Sequence, residues 1–338
     1  MTGIKSLLAI HHASGGTFSE RWIAYCQANA IPYKRVDVYS STFQAEIEEC
    51  KALLWHFHQN SPKDMLAAKS IIHALEQEGK VVFPNVNTSW HFDDKVAQKF
   101  LLEAIKAPMA PSYVFYDRAS ALNWIQATVF PKVFKLKGGA GSANVRLAKT
   151  RNETKSLIKQ AFGKGFKAYN ALISLQERWR KYRLGQTDIK DVVKGIFRIF
   201  VPPPYAGMIG REKGYAYFQD FIPNNTFDIR IIVIDRKAFG LKRMVRENDF
   251  RASGSGNFKY AREEFDERCV SIALNVTERL NAQCLAYDFV FDEKGNPLIV
   301  EMSYGFSASG YDDCPGYWDE KLIWIEGKFV SVQKNMNK

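Results

Sequence analysis

Short apolar runs alternate with polar or glycine-bearing turns along most of the 338 residues, and their period predicts the elements. Residues 6–10 read as a strand, 11–17 as a turn and 19–28 as a helix, the opening of an α/β layer. Further strands are expected over 34–39, 52–57 and 80–83, with a helix over 62–77. A small parallel sheet with helices would then fill residues 1–90. Residues 87–106 predict a loop and then a helix, ended by Pro108 and Pro111; 118–127 predict a short helix. A strand over 130–136 and another ending at Leu147 enclose a glycine-rich turn. Residues 152–200 read as mostly helical and basic, up to Pro202, Pro203 and Pro204. Strands follow at 215–222, 227–235 and 237–243, then a helix over 263–280 and a last short hairpin over 322–330.

The strongest pattern lies in residues 284–303. Two apolar runs, 285–291 and 297–302, flank Lys294, Gly295 and Asn296, which is hairpin chemistry. Asp288 interrupts the first run and Glu301 ends the second, and a hairpin centred on the turn brings them opposite each other. With no basic residue in either run, two such carboxylates repel unless a cation sits between them. The alternative is the solvated face of an edge hairpin. Phe289, Val290, Ile299 and Val300, apolar on both faces, speak against it, and a divalent-metal clamp is the better reading.

Composition narrows the class. The length suits two or three modest cores, and 46% hydrophobic content describes a globular chain. No apolar run approaches the ~18 residues of a membrane span, and the N-terminus reads as a first strand, not a signal peptide. Cysteines at 26, 50, 269, 284 and 314 form no CxxC pair, which argues against a disulfide framework or zinc site and for a reducing cytoplasm. A formal charge of +11 implies an anionic partner. The helix expected over 171–184, with Trp179 and Tyr182 among arginines, is most simply a solvated amphipathic helix. A docking surface for an anionic polymer or membrane headgroups is the sharper alternative.

Several positions carry candidate chemistry. Lys135 and Lys137 flank the glycine turn that includes Gly138, Gly139, Gly141 and Ser142, where backbone N–H groups can converge on phosphate. The turn lacks the P-loop ending and no helix follows it at once, so a β-turn-β flap over nucleotide phosphates fits better. Gly15 and Gly16 give a weaker phosphate-loop signal. His11 and His12 are candidate substrate contacts, or polar packing residues. Asp228, Arg230 and Arg243 interrupt apolar strands, and arginines there need carboxylates to pair with or phosphates to grip. The polar loop 248–257 could close over a site, and the loop 304–316 is long enough to be functional.

Taken in order, the strand 130–135 with its glycine turn, Gln219 to Ile222, Asp228 to Arg230, Arg243, Asp288 and Glu301 resemble the ATP-grasp superfamily. The pattern is most similar to ribosomal-protein glutamate ligases and glutathione synthetases, and it runs from Asp94 to Gly310. The resemblance implies an α/β (α+β) ATP-grasp fold: a pre-ATP-grasp α/β domain over 1–90, a lid subdomain with a basic helical insert over 91–205, and a catalytic subdomain over 206–338. It implies that Lys95 and Lys135 contact ATP phosphates beneath the flap, and that Gln219 with the backbone of Asp220, Phe221 and Ile222 reads adenine. Asp228 would lie near the ribose or the site floor, and Arg230 and Arg243 would stabilise the transferring phosphoryl group. Asp288 and Glu301 would hold one or two Mg²⁺ ions. Where the family commonly has Asn, two residues after Glu301, stands Ser303, whose hydroxyl can still ligate; the loop 251–256 lacks the family's usual Asn as well. The stretch 301–324 resembles ATP-grasp proteins of bacterial surface-polysaccharide clusters.

The implied activity is carboxylate–amine ligation through an acyl phosphate, releasing ADP and phosphate, on small, anionic carboxylate and amine substrates. A kinase of the same fold, phosphorylating a hydroxyl of an anionic molecule, is the nearest rival, and a scaffold without activity shares the fold too. A basic nucleic-acid-binding protein would explain the charge, but it leaves Asp288 and Glu301 unexplained and shows no RNA-binding motif. The oligomeric state, a homo-oligomer included, stays open.

Overall fold

The structure, a computed structural model, describes residues 7–13, 17–139, 144–167, 171–183, 185, 187–201, 210–246, 252 and 256–327. Its packing divides into two compact units, one from residues 1–92, 97–109 and 222–338, the other from 93–96 and 110–221.

The first unit begins with β1 (Leu8–His11), α1 (Ser19–Ala28), β2 (Tyr33–Val36), α2 (Phe43–Glu46), β3 (Ala52–Leu54), α3 (Pro62–Gln77), β4 (Val81–Phe83) and α4 (Val86–Ser89). The strands form the expected parallel sheet, in the order β2-β1-β3-β4. Helix α3 starts where its sequence says it must: Pro62 sits at the first helical position and Ser61 Oγ accepts from Asp64 N at 3.3 Å. Its buried Asp64, Ala68, Ile72 and Leu75 fall on one stripe. Helix α5 (Lys95–Ala104) follows; its first two residues belong to the second unit and the rest to the first.

The second unit contains β5 (Ser112–Phe115), α6 (Arg118–Ala127), β6 (Lys132–Lys135), β7 (Val145–Ala148), α7 (Arg151–Ala161), α8 (Ala171–Arg183), α9 (Ile189–Phe200) and β8 (Ala216–Asp220). An antiparallel sheet runs in the order β5-β8-β6-β7. The sequence pattern did not predict β5, which lies between Pro111 and the helix-capping Asp117. Alternation assigns the two faces of this sheet. Phe134, Ala216 and Phe218 pack with Ala121 and Ile125 of α6 and Ile158 of α7. The other face receives Ser112, Val133, Lys135, Tyr217 and Gln219. Helices α8 and α9 lie against each other. Arg178 of α8 bonds the carboxylate of Asp191 and, at 3.2 Å, its carbonyl. At Gly195 a Cβ would come within 2.7 Å of Arg178 Cδ, so any larger residue there would have to displace the Arg178 side chain. Arg180 is held by Glu177 at 2.7 Å, so part of the basic cluster on α8 is neutralised within the hairpin.

The chain returns to the first unit with β9 (Phe227–Ile234), β10 (Lys237–Met244), β11 (Phe258–Lys259), α10 (Glu267–Arg279), β12 (Cys284–Phe291), β13 (Pro297–Ser303), β14 (Gly316–Trp318) and β15 (Trp324–Glu326). The sheet order is β13-β12-β9-β10-β14-β15, with β11 on β10. Helix α10 starts at Glu267, later than residue 263, because Arg262–Glu264 form a 3₁₀ turn and Asp266 caps the helix by accepting from Arg268 N at 2.9 Å. The last hairpin is β14–β15, earlier than the expected 322–330, of which 328–330 lie outside the described residues. Helix α10 covers one face of the large sheet: Thr277 Oγ1 lies 2.8 Å from Tyr287 Oη, and Phe265 packs where Gly240 lacks a side chain. One hydrophobic core joins this sheet to the N-terminal parallel sheet. Tyr304 Oη donates to the Phe57 carbonyl at 2.5 Å, and Arg21 grips Asp312 at 2.8 and 2.7 Å. Among the described residues no helix is long and apolar enough to cross a membrane.

Just beyond β3, His56 is buried, stacked on Phe18 at 3.7 Å, with Nδ1 accepting from Phe18 N at 3.2 Å. Burial, with the nearby His58 ring adding to it, lowers its pKa from 6.5 to about 3. Between those values the unfolded chain binds the extra proton, so His56 contributes stability above pH 6.5 that is lost as pH falls toward 3. The slope from one such group reaches about 1.4 kcal/mol per pH unit. His56→Asn keeps an acceptor near Nδ1 without a titrating ring. Urea unfolding between pH 7 and about 4 is expected to give this variant a shallower stability–pH slope than the parent. Identical slopes would exclude His56 as the source.

Candidate active site

The site in the first unit follows from strand register. On β9, Asp228 and Arg230 are two residues apart and share a face. Arg243 on β10 is the cross-strand partner of Asp228, Asp288 on β12 that of Arg230, and Glu301 on β13 that of Asp288. Cross-strand partners project to the same side, so five charged residues form a row across four adjacent strands, on the face opposite α10.

The row is tightly bonded. Arg230 Nε and Nη2 donate to Asp288 Oδ1 and Oδ2 at 2.5 and 2.7 Å. Arg243 Nε and Nη2 donate to Asp228 Oδ1 and Oδ2 at 2.7 and 2.6 Å, and Arg243 Nη2 also reaches Asp288 Oδ2 at 2.8 Å. Burial by itself would raise the Asp288 carboxyl; the Arg230 and Arg243 guanidiniums override it and hold it well below the usual carboxylate range. This corrects the electrostatic argument made from the hairpin alone. Asp288 does not face Glu301 without a positive charge nearby, because β9 and β10 deliver two guanidiniums to it. A cation is therefore not required to keep the strands together.

Whether Mg²⁺ fits depends on the oxygens. Asp288 accepts one bond at Oδ1 and two at Oδ2, and a carboxylate offers roughly four lone-pair sites. One direction on Oδ1 remains. Glu301 stands opposite on β13, and Ser303 lies two residues on, on the same face, its Oγ accepting from Gly305 N at 3.1 Å. Among the described residues no group of three His, Cys, Asp or Glu side chains forms a metal cluster. Two carboxylates and a hydroxyl still suit Mg²⁺, which is commonly held by one or two carboxylates together with substrate phosphates and water.

The second unit gathers the other predicted residues. On the polar face of its sheet, buried Lys135 Nζ donates to Gln219 Oε1 at 2.7 Å, and Gln219 Nε2 donates to Ser112 Oγ at 3.1 Å. Ser112 in turn donates to the Ala110 carbonyl at 2.9 Å. Gln219 thus aims the ammonium of Lys135. Asp220 ends β8; its side chain accepts from Lys132 Nζ at 2.5 Å and its amide donates to Pro111 O at 2.8 Å. That amide is committed to the chain beside β5, which fixes the end of β8 where the backbone expected to read adenine begins. The boundary between the units falls between Phe221 and Ile222.

The glycine turn is anchored by acids. Gly139 N donates to Asp93 Oδ1 at 2.7 Å, Lys95 Nζ donates to Gly139 O at 3.0 Å, and Lys137 Nζ lies 3.0 Å from Asp94 Oδ2. Gly139 has φ +103°, which side chains rarely adopt, and a Cβ there would lie 2.3 Å from Asn144 Nδ2. Gly141 and Ser142 lie outside the described residues, as do Gly15, Gly16 and most of the loop 248–257. His11 is buried edge-on against Tyr39 and Trp55, a packing role. His12 is exposed, its Nδ1 3.0 Å from Ser19 Oγ.

Four participants were not found from sequence. Asp93 and Asp94 precede Lys95, and that run of charge was their only signal. Ser112 sits on the unpredicted β5. Tyr311, in a 3₁₀ turn, is buried within the electrostatic reach of Arg230, Arg243 and Asp288.

The two aspartates of the row differ in what their loss leaves behind. Asp288→Ala strips Arg230 of its bidentate partner and Arg243 of a second contact, whereas Asp228→Ala leaves Arg243 with Asp288. Breaking a buried pair costs about 3–5 kcal/mol. Chemical denaturation is expected to show that order of loss for Asp288→Ala and roughly half as much for Asp228→Ala; the reverse ranking would contradict this bonding.

Residues 211–312 match the model of the RimK-like ATP-grasp domain. The matched stretch contains the whole charged row. No curated protein matches the chain by sequence. The crystal structure of a RimK domain protein ATP-grasp from Sphaerobacter thermophilus DSM 20745 is similar, with a TM-score of 0.54 and 14% identity over 90% of this chain and 93% of that one. D-cycloserine synthetase DcsG gives a TM-score of 0.55 and 12% identity over 88% and 91% of the two chains. D-alanine–D-alanine ligase from Bacillus anthracis gives 0.51 and 13% over 88% and 86%. At these identities the likeness concerns the fold, and with the matched domain it agrees with the resemblance in the sequence. The chain has the fold of these ATP-grasp proteins, and its residues 211–312 match the RimK-like ATP-grasp domain.

Proposed function

We propose that the protein is an ATP-dependent carboxylate–amine ligase that forms an amide or peptide bond and releases ADP and phosphate. The observation that carries this reading is the row Glu301, Asp288, Arg230, with Arg243 and Asp228, on one face of the sheet inside the RimK-like ATP-grasp domain. Two fixed guanidiniums beside carboxylates suit a reaction in which negative charge builds on a transferring phosphoryl group. The substrate carboxylate attacks the γ-phosphorus, the bond to the β-phosphate oxygen breaks, and ADP leaves. The amine then adds to the acyl phosphate, loses a proton and expels phosphate.

Arg230 and Arg243 neutralise the phosphoryl oxygens, a role that arginine fills elsewhere with effects of ~10³-fold or more on rate. Lys95 and Lys135 bind ATP phosphates, with Gly138 and Gly139 and, in the same turn, Gly141 and Ser142 as the flap. Gln219 holds Lys135 in place, and Phe221 and Ile222 lie at the adenine. Asp228 keeps Arg243 oriented. Asp288, Glu301 and Ser303 would hold Mg²⁺, which when bound supplies charge neutralisation across the phosphates. The five buried, free thiols suit a reducing compartment, and we place the protein in the cytoplasm. The resemblance of residues 301–324 extends the reading to surface-polysaccharide modification.

The test is ADP release from Mg-ATP with panels of carboxylates and amines. Release that needs both a carboxylate and an amine is expected. Release with a hydroxyl acceptor and no amine dependence would replace the ligase by a kinase. A second test separates the flap from the surface. Lys135 is buried, whereas Lys149 is exposed and lies beyond β7. Calorimetry is expected to show Lys135→Ala binding Mg-ATP roughly tenfold or more weakly than Lys149→Ala, because hydrogen bonds to charged groups are worth about 1.5–3 kcal/mol. Equal affinities would sink the assignment of Lys135.

A further inference from the structure

Helix α9 shows its apolar side to solvent. Val192 and Gly195 are buried, while Ile189, Val193, Ile196, Phe197 and Phe200 are exposed, the two phenylalanines by 60% and 79%. Positions 193, 196, 197 and 200 have the i, i+3, i+4, i+7 spacing of a single helical stripe. Globular proteins rarely leave so many bulky apolar side chains contiguous and uncovered. The charges on the helix are ordered too. Lys190, Lys194 and Arg198 recur every fourth residue, in a column along one border of the stripe. The helix's one acid, Asp191, is turned to Arg178 of α8. On α8, Trp179 and Tyr182 are exposed with their rings 5.8 Å apart. Such rings, apolar with a polar tip, favour the boundary between water and lipid.

A protein partner could cover an apolar stripe, but the bordering column of positive charge, which forms no ion pair among the described residues, selects the occupant. A bulky apolar face edged by Lys and Arg matches a surface of acyl chains beneath anionic headgroups. The chain's charge of +11 adds attraction at longer range. We propose that α9 docks the protein on an anionic lipid bilayer. Val193, Ile196, Phe197 and Phe200 enter the headgroup–acyl boundary, and Lys190, Lys194 and Arg198 lie against lipid phosphates. None of these residues belongs to the site described above, so the docking surface stands or falls independently of the ligase reading.

The experiment is co-sedimentation of the full chain with vesicles of phosphatidylcholine alone, and of phosphatidylcholine and phosphatidylglycerol in equal parts, across a salt series. Binding to the anionic vesicles that weakens with salt is expected, with little to the neutral ones. Lys190→Gln, Lys194→Gln and Arg198→Gln combined should lower that affinity by roughly 100-fold, at about fivefold per lost charge. Phe197→Ser with Phe200→Ser should abolish binding even at low salt. Both changes are at the surface, so both variants should melt near the parent. Equal binding to the two vesicle types, or binding that either variant leaves intact, would overturn the proposal. So would failure to sediment with lipid, combined with a self-association in light scattering that the double phenylalanine variant removes; the stripe would then join two copies of the chain.

Discussion

The ladder of guanidinium–carboxylate bonds across β10, β9 and β12 is the constraint on which the large sheet of the first unit depends. Burying any one of Asp228, Arg230, Arg243 or Asp288 alone would cost several kcal/mol. Buried together, with both aspartates gripped through two oxygens, they satisfy one another. The bonds exist only in one register, since a slip of one residue would send every charge to the α10 side. The row therefore fixes the alignment of strands that are far apart in the chain. Counted with Glu301, the row itself holds three carboxylates and two guanidiniums, and Ser303 lies on the same face beside Glu301.

Both large antiparallel sheets use the same arrangement. Period-two alternation gives one face to apolar side chains and a helical cover: α10 in the first unit, α6 and α7 in the second. It leaves the other face to buried polar groups, the charged row in one case and Lys135, Gln219 and Ser112 in the other. Lys135, Gln219, Arg230 and Arg243 are each oriented by a neighbour on the adjacent strand, so their placement rests on rigid backbone pairing. The glycine turn is the exception, being held from outside by Asp93 and Lys95.

Local patterns were legible where a segment's own residues decide its structure. Helices 19–28 and 62–77, the parallel sheet, and the hairpin that sets Asp288 opposite Glu301 all follow from periodicity, caps and turn residues. What depends on partners distant in sequence was not. Arg230 and Asp288 are 58 residues apart, and no local pattern states that β9 pairs with β12. The two arginines were visible as charges needing partners, and the two aspartates as charges out of place, without the register that joins them. Strand β5 is four residues wedged between a proline and a helix cap, too short to show alternation. The apolar stripe of α9 was hidden by averaging, because a window over 152–200 reads as basic while the helix itself separates its apolar and basic residues by side.

The most direct test of the central claim, that this row serves Mg-ATP, is the thermal shift of Glu301→Gln. The change keeps the shape and removes one negative charge from the row. A ligand stabilises only the state that binds it. Without ligand the variant should melt at or above the parent. Addition of Mg-ATP should raise the parent's melting temperature by several degrees and the variant's hardly at all, with turnover lost in the variant. Equal shifts on addition of Mg-ATP, with ADP release retained, would contradict the account.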